Sequence, residues 1–409
     1  MFGSKIKKID AREILDSRGN PTVEVELETK DGKFISAVPS GASTGKFEAV
    51  ELRDNDSKKY SGKGVLKAVE NIKNIIAPMI LGIDARKQGK IDRIMIEADG
   101  TENKSKLGAN AILAVSMAVC RAGARSNDIS LWQYISGLSG FKPAIARPCF
   151  NIINGGAHAG GDLDIQEFMV IPEEISFAQN FEAGSEIYHI LKNVLKENYG
   201  EKAINIGDEG GFVPPISNTI EALSLIKQAI SKHSNTKIGL DCAATQFLKG
   251  KTYFLEKKDY NSSELLDFYK NIINNFPIIY LEDPYSEEDW PAWKNINEEI
   301  KNAIIIGDDL TVTNKNRLDK AVEENCITGI IIKPNQVGTI SETIETIITA
   351  KKNKIKIIVS HRSGETTDDF ISDLAVGVGA EFIKSGAPAR GERLAKYNRL
   401  LKIEEEIKS

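Results

Sequence analysis

Cysteine is scarce in this 409-residue chain and poorly spaced for structural use: Cys120, Cys149, Cys242 and Cys326 lie far apart and form no C-x-x-C pair. That excludes a zinc framework and a dense disulfide scaffold, and it predicts a reducing, cytoplasmic setting. Long apolar runs are missing too. No stretch is long enough to cross a bilayer, and the opening MFGSKIKKIDAREILDSRGN has no apolar signal core, so neither a membrane segment nor a secretory leader is expected. Without a leader, the sequon Asn261-Ser262-Ser263 has no consequence. Nor does one charge dominate. The 53 Lys and Arg against 58 Asp and Glu leave a net charge of −5, and basic clusters such as Lys5, Lys7 and Lys8 are short, which argues against a nucleic-acid or membrane surface. With 41% hydrophobic residues, the chain can build a large core in two or three domains.

Two rhythms divide the chain. Near the N-terminus, TVEVELE (22–28) alternates Val23, Val25 and Leu27 with acids, and Asp31-Gly32 supplies a hairpin turn before FISAVP. Helical patterns follow in GVLKAVENIKNIIAPMI, KQGKIDRIMIEA and ANAILAVSMAVCRAGA, the last almost wholly apolar and so buried. A few strands and then a run of helices predict a small α+β domain over 1–136. The rest, 137–409, repeats strand, polar tip and helix. Its strands read KIGLD (237–241), PIIYLED (277–283), AIIIGDD (303–309), GIIIKPN (329–335), KIIVSHRS (356–363) and AEFIKSG (380–386). Tips recur every 23 to 41 residues from Asp241 to Lys384, the spacing of βα units. An open sheet gathers ligands at one switch point. Six successive chargeable tips suit instead a closed (β/α)8 barrel, whose site is fed by many strand ends.

The first three tips are acidic: Asp241, Glu282 with Asp283, and Asp308 with Asp309. Converging carboxylates repel unless a cation neutralises them, and oxygen-only donors suit Mg²⁺ rather than zinc. Lys333, His361-Arg362-Ser363 and Lys384 form a basic half. An arginine fork beside a hydroxyl suits phosphate, so a substrate bearing both carboxylate and phosphate is expected. Lys333, between acids and Arg362, is the candidate base for a proton next to a carboxylate. Glycines flank His158 in NGGAHAGGDLDIQEF (154–168), and NIGDEGGF (205–212) is read as another strand end carrying Glu209, the candidate acid opposite Lys333. The loop PSGASTGK (39–46) fails as a phosphate-binding P-loop, since three residues separate Gly41 from Gly45-Lys46 and Phe47 follows. A mobile lid over the barrel mouth is the better reading.

The stretches SRGNPTVEVE, PSGASTG, NGGAHAGG, QEFM, GDEGGF, LDCA, LEDP, GDDLTVTN, KPNQVGT, SHRSGET and KSGAPARGERLAKYN, in this order, resemble the enolase family along essentially the whole chain. The resemblance implies an enolase-type barrel capped by the N-terminal domain and reversible dehydration of 2-phosphoglycerate to phosphoenolpyruvate. It implies Asp241, Glu282 and Asp308 as ligands of a tighter Mg²⁺, with Ser43 joining a second when the lid closes. Lys333 matches the base and Glu209 the acid, while His158, Gln166, Glu167, Lys333, His361, Arg362, Ser363 and Lys384 match substrate-binding positions. Family members are usually homodimers, and Arg12, Glu24 and the C-terminal IEEE resemble that contact. Two other readings stay open: a related dehydratase or racemase acting on acid sugars without phosphate, and a non-catalytic binding protein of the same fold. Arg362-Ser363, His158 and the Ser43 loop weigh against the first. The presence of every expected ligand and of the base weighs against the second.

Overall fold

The alternation of residues 22–28 folds as a strand whose Val23, Val25 and Leu27 are fully buried. The computed structural model describes residues 4–41 and 45–408. Strands β1 (Lys8–Leu15), β2 (Pro21–Thr29) and β3 (Gly32–Ala37) form an antiparallel sheet in that order. The helix Ala109–Ser126 lies against β2 and β3 and is buried along most of its length, as its lack of a polar face requires. The stretch predicted as one helix over 64–80 is helical from Leu66 to Ile80 but passes through a π-helical turn at Ile72–Ile76. Pro78 follows that turn and has no N–H to give. The helix Leu131–Ser139 spans the position at which the sequence divides the chain, and irregular backbone at 141–146 leads on to the next strand.

That strand, β4 (Arg147–Asn154), opens a closed barrel with β5 (Glu167–Pro172), β6 (Thr236–Asp241), β10 (Ile278–Glu282), β11 (Ile304–Gly307), β12 (Gly329–Ile332), β13 (Lys356–Ser360) and β14 (Phe382–Lys384). The three short strands between β6 and β10, namely β7 (Leu248–Lys249), β8 (Thr252–Leu255) and β9 (Lys258–Tyr260), form a separate small sheet. Closure agrees with the sequence; strict alternation does not. Strand β5 follows β4 with no intervening α-helix and runs antiparallel to both β4 and β6. The two helices that a regular order would distribute, Phe177–Tyr199 and Thr219–Ala229, come together between β5 and β6. Reversal has one consequence for chemistry: β5 brings its first residue, not its last, to the mouth. Glu167 therefore pairs in register with Asp241 of β6 and Asn154 of β4.

Two buried layers explain why GIII (329–332) is apolar throughout. Ile330 and Ile332 pack outward in the main core under the helices, while Ile331 joins Cys149, Met169, Ile171, Tyr280, Ile304, Ile306, Ile358 and Phe382 inside the barrel. Gly329 leaves room for this filling, since a Cβ there would lie 2.8 Å from the Ile306 side chain.

The N-terminal region is tied to the barrel by a part-buried ion pair. Arg121 of the helix Ala109–Ser126 grips both oxygens of Asp368 at 2.9 Å, and Ala37 N–H of β3 donates to the same carboxylate at 3.0 Å. Arg121→Ala should lower the unfolding free energy by about 1.5–3 kcal/mol, because it removes a charge-assisted, two-pronged partner from a part-buried carboxylate; urea denaturation of the whole chain measures this. Burial pulls the Asp368 carboxyl upward, but Arg121 and the backbone N–H groups outweigh it and hold it below its ordinary value. The pair's contribution is thus complete above about pH 4 and is lost as pH falls through the lowered folded-state value. The wild type should show that acid-side loss and Arg121→Ala should not.

Candidate active site

Side chains alternate along a strand, so the residue two beyond an inward-facing one faces inward again. Tyr280, Ile306, Ile331, Ile358 and Phe382 belong to the barrel's inner core. Two residues on come Glu282, Asp308, Lys333, Ser360 and Lys384. Cys149 is followed in the same way by Asn151, and on reversed β5 Met169 is preceded by Glu167. Lys333 keeps extended backbone (φ −126°, ψ 102°) and so continues its strand's inward row. A row that is apolar at depth turns chargeable at the mouth, where Asp241, Asp308, Lys333, Lys384, Glu167, Glu209 and Arg362 line one cleft.

Charges in this cleft interlock instead of separating into an acidic and a basic half. Lys384 Nζ donates to Glu282 Oε1 at 2.7 Å and Oε2 at 2.9 Å, to Glu167 at 3.2 Å and to Asp241 at 3.4 Å. Lys333 Nζ is bonded to Asp308 Oδ2, whose other oxygen takes Gln336 Nε2 at 3.0 Å. The expectation of Lys333 and Lys384 as members of a basic half is corrected accordingly: each cation sits among the acids. Burial pushes the Glu282 carboxyl well above its ordinary value, helped by the charges of Asp241 and Asp308 against the pull of Lys384. For Lys333, burial favours the neutral amine, but Asp308 outweighs it and keeps the ammonium. Asp283, at a positive φ of 43°, accepts Asp308 N–H at 2.9 Å and Asp309 N–H at 2.8 Å, fixing the turn after β11.

Asp208 and Glu209 do not end a strand, contrary to expectation. They sit in a turn bracketed by Gly207 N–H to Gly211 C=O at 2.9 Å and pinned to β4 through Asn154 N–H to Phe212 C=O at 2.9 Å. The glycine-rich sequence that suggested a strand end instead permits close packing: a Cβ on Gly207 would meet His158 O at 2.6 Å. Glu209 is 2% exposed and surrounded by donors. Asn151 Nδ2 donates at 2.9 Å, His361 Nε2 lies at 3.4 Å and His158 Nδ1 at 3.5 Å, the last also 3.6 Å from Glu167. Burial raises the Glu209 carboxyl, yet the two histidines outweigh it and hold it well below the usual range. Glu167, buried against that negative charge, is pushed up to about 8. Burial opposes protonation of His158, but Glu209, Glu167 and Asp241 prevail and raise it; His361, buried beside Arg393, Lys384 and Lys333, is lowered well below the ordinary value despite Glu209.

The N-terminal region closes the opposite side. Ser40 and Gly364 exchange backbone hydrogen bonds at 2.7 and 2.9 Å. Glu48 receives the Arg362 fork at 2.8 and 3.3 Å, a carboxylate held where an oxyanion of a ligand would bind. The buried Ser363 hydroxyl makes no hydrogen bond among the described residues. Gln166 donates to Asp241 at 3.2 Å and accepts Gln246 Nε2 at 2.6 Å. Ser43, expected as a ligand from the lid, lies outside the described residues.

Sequence reasoning missed Glu48, Asn151 and Gln246. Asn151 left a trace, as a polar residue inside the apolar run PCFNII. Glu48 left none, since its partner lies 314 residues away. Among the described residues, two groups of donors approach within 4.8 Å of one another, His158, Glu167 and Glu209 in one and Asp283, Asp308 and Asp309 in the other; of the expected ligands Asp241, Glu282 and Asp308, only Asp308 belongs to either.

Comparison with known proteins agrees with this geometry. Residues 6–135 match the enolase N-terminal domain and residues 143–409 the enolase C-terminal TIM barrel domain. The enolase of Methanocaldococcus jannaschii is 51% identical over 408 residues, covering 98% of this chain and 96% of that protein. The chain belongs to the enolase family of enzymes.

Proposed function

We propose that the protein catalyses the Mg²⁺-dependent, reversible dehydration of 2-phosphoglycerate to phosphoenolpyruvate in glycolysis and gluconeogenesis, by removal of the C2 proton and loss of the C3 hydroxyl. The observation that carries this reading is a single cleft lined by Lys333, by Glu167 and Glu209, and by Arg362 with Ser363.

Asp241, Glu282 and Asp308 would hold the cation. They are oxygen donors at the ends of three adjacent strands, with Asp241 opposite Glu282 in the ladder. The upward push on Glu282 from burial and from its acidic neighbours is a repulsion that a hard cation relieves. When bound, the cation supplies the positive charge against which a substrate carboxylate can take on a second negative charge. Ser43 as a ligand of a second Mg²⁺ rests on the family resemblance alone. Lys333 accepts the C2 proton in its neutral form, so its bond to Asp308 must loosen first. Glu209 assists departure of the C3 hydroxyl, with Glu167 as the store of the proton and His158 between them. Arg362 and Ser363 take the phosphate, Glu48 yielding its place on the guanidinium. His158, Gln166, Glu167, His361 and Lys384 bind or orient the rest. We further infer a homodimer in the cytoplasm, paired through the N-terminal sheet. Arg12 already meets Glu24 at 2.7 Å within the chain yet stays 50% exposed, and Leu15 and Ile35 are exposed on the same sheet.

The direct test is the ultraviolet absorbance of phosphoenolpyruvate appearing from 2-phosphoglycerate and Mg²⁺; a flat trace rejects the reading, and chelation should abolish a rise that added Mg²⁺ restores. Lys333→Ala should cut turnover by about 10³-fold or more with cation binding by calorimetry nearly unchanged. A variant that still exchanges the C2 proton at the normal rate puts the base elsewhere. Glu209→Gln should slow dehydration far more than deuterium exchange at C2, and equal losses contradict its role as acid. Because the proton on Glu167 is retained up to about pH 8, kcat/KM should fall as pH rises past that value.

A further inference from the structure

Arg393 is a large buried cation behind His361 that the proposed chemistry leaves unused. It belongs to the C-terminal helix Gly391–Lys408 and is 0% exposed. Such burial ordinarily calls for a carboxylate partner, and Glu392 stands 3.5 Å from Nε. The rest of the guanidinium is committed to the site. Nη1 donates to His361 Nδ1 and to the carbonyl of Arg362, each at 2.6 Å, while Nη2 donates to the carbonyls of Ser363 at 2.6 Å and Asp208 at 3.0 Å. Glycine clears its path, since a Cβ on Gly386 would lie 3.0 Å from Arg393 Cδ.

An arginine has donors only and stays protonated at any working pH. The imidazole nitrogen that meets it must therefore be the bare one, which leaves the ring proton on Nε2, facing Glu209 Oε1 at 3.4 Å. We propose that Arg393 is a positioning residue: it holds His361 as the Nε2–H tautomer, aims a permanent donor at Glu209, and ties the backbone before Glu209 to that of Arg362 and Ser363. With the opposite tautomer, a lone pair would face the carboxylate. The inference rests on the reading of Glu209 as the group that assists loss of the C3 hydroxyl.

The test is nitrogen NMR of the full-length protein labelled with ¹⁵N-histidine. Only four histidines are present, and the signals lost in His361→Asn identify the ring. In the wild type, the nitrogen coupled to both ring carbon-bound protons, Nε2, should show a protonated, pyrrole-type shift, with an imine-type shift at Nδ1. A proton on Nδ1 overturns the proposal, and this measurement needs no variant to fold. Arg393→Met, which keeps length and loses every donor, should mix the tautomers or reverse them and lower dehydration by about 10²-fold. Arg393→Lys, which restores one donor, should return the ring to Nε2–H and recover part of the rate. A folded Arg393→Met that retains Nε2–H refutes the assignment. Failure of the wild type to form phosphoenolpyruvate would reject the proposed reaction while leaving the tautomer result standing on its own.

Discussion

Carboxylates gathered at the end of a barrel repel one another, and the rest of this site is organised around that repulsion. Glu167, Asp241 and Glu282 reach the mouth from β5, β6 and β10, three neighbouring strands. With water largely excluded, such a cluster persists only if positive charge or protons offset it. Lys384 provides the charge at the centre and Lys333 provides it for Asp308. The remaining excess is relieved by protonation, which is why Glu167 and Glu282 are both shifted upward.

The two walls of the cleft are built differently. On one side, Asp241 and Glu282 are the last residues of their strands, paired with each other in the ladder, and Asp308 and Lys333 directly follow theirs. Glu209 and His158 are on loops, and their precision comes from packing and from donors on other elements: Asn151 from β4 and the histidines themselves. Rigid strands and a pinned loop meet at a single carboxylate, so small changes in the supporting shell reach the proton directly.

The N-terminal region acts on the site through contacts rather than through proximity alone. Asp92, on the helix Gln88–Asp99, accepts hydrogen bonds from Ser341 N–H at 3.0 Å and Ser341 Oγ at 2.6 Å, anchoring the start of the barrel helix Ile340–Lys352. Arg121 meets Asp368 on the barrel side, and Ser40 pairs with Gly364 directly after the phosphate-binding candidates. Glu48, between these anchors, occupies the Arg362 guanidinium. Any anion that took the same fork would have to displace Glu48 from it.

From the sequence alone came the strand tips, their inward direction, the order of the units and the division into a small α+β region and a barrel. These follow from periodicity and residue type, which are local properties that the chain carries wherever it folds. The reversal of β5 was invisible, because an apolar strand reads the same in either direction and only its neighbours decide which end reaches the mouth. Glu209 was found by composition and misassigned to a strand, since glycine-rich turns and strand ends share a local pattern. Pairings such as Glu48 with Arg362 and Arg393 with His361, and the placing of lysines among acids, join segments with no sequence signal linking them. Closure of the barrel brought them within hydrogen-bond distance, and the cost of leaving a buried charge unmet chose the partners.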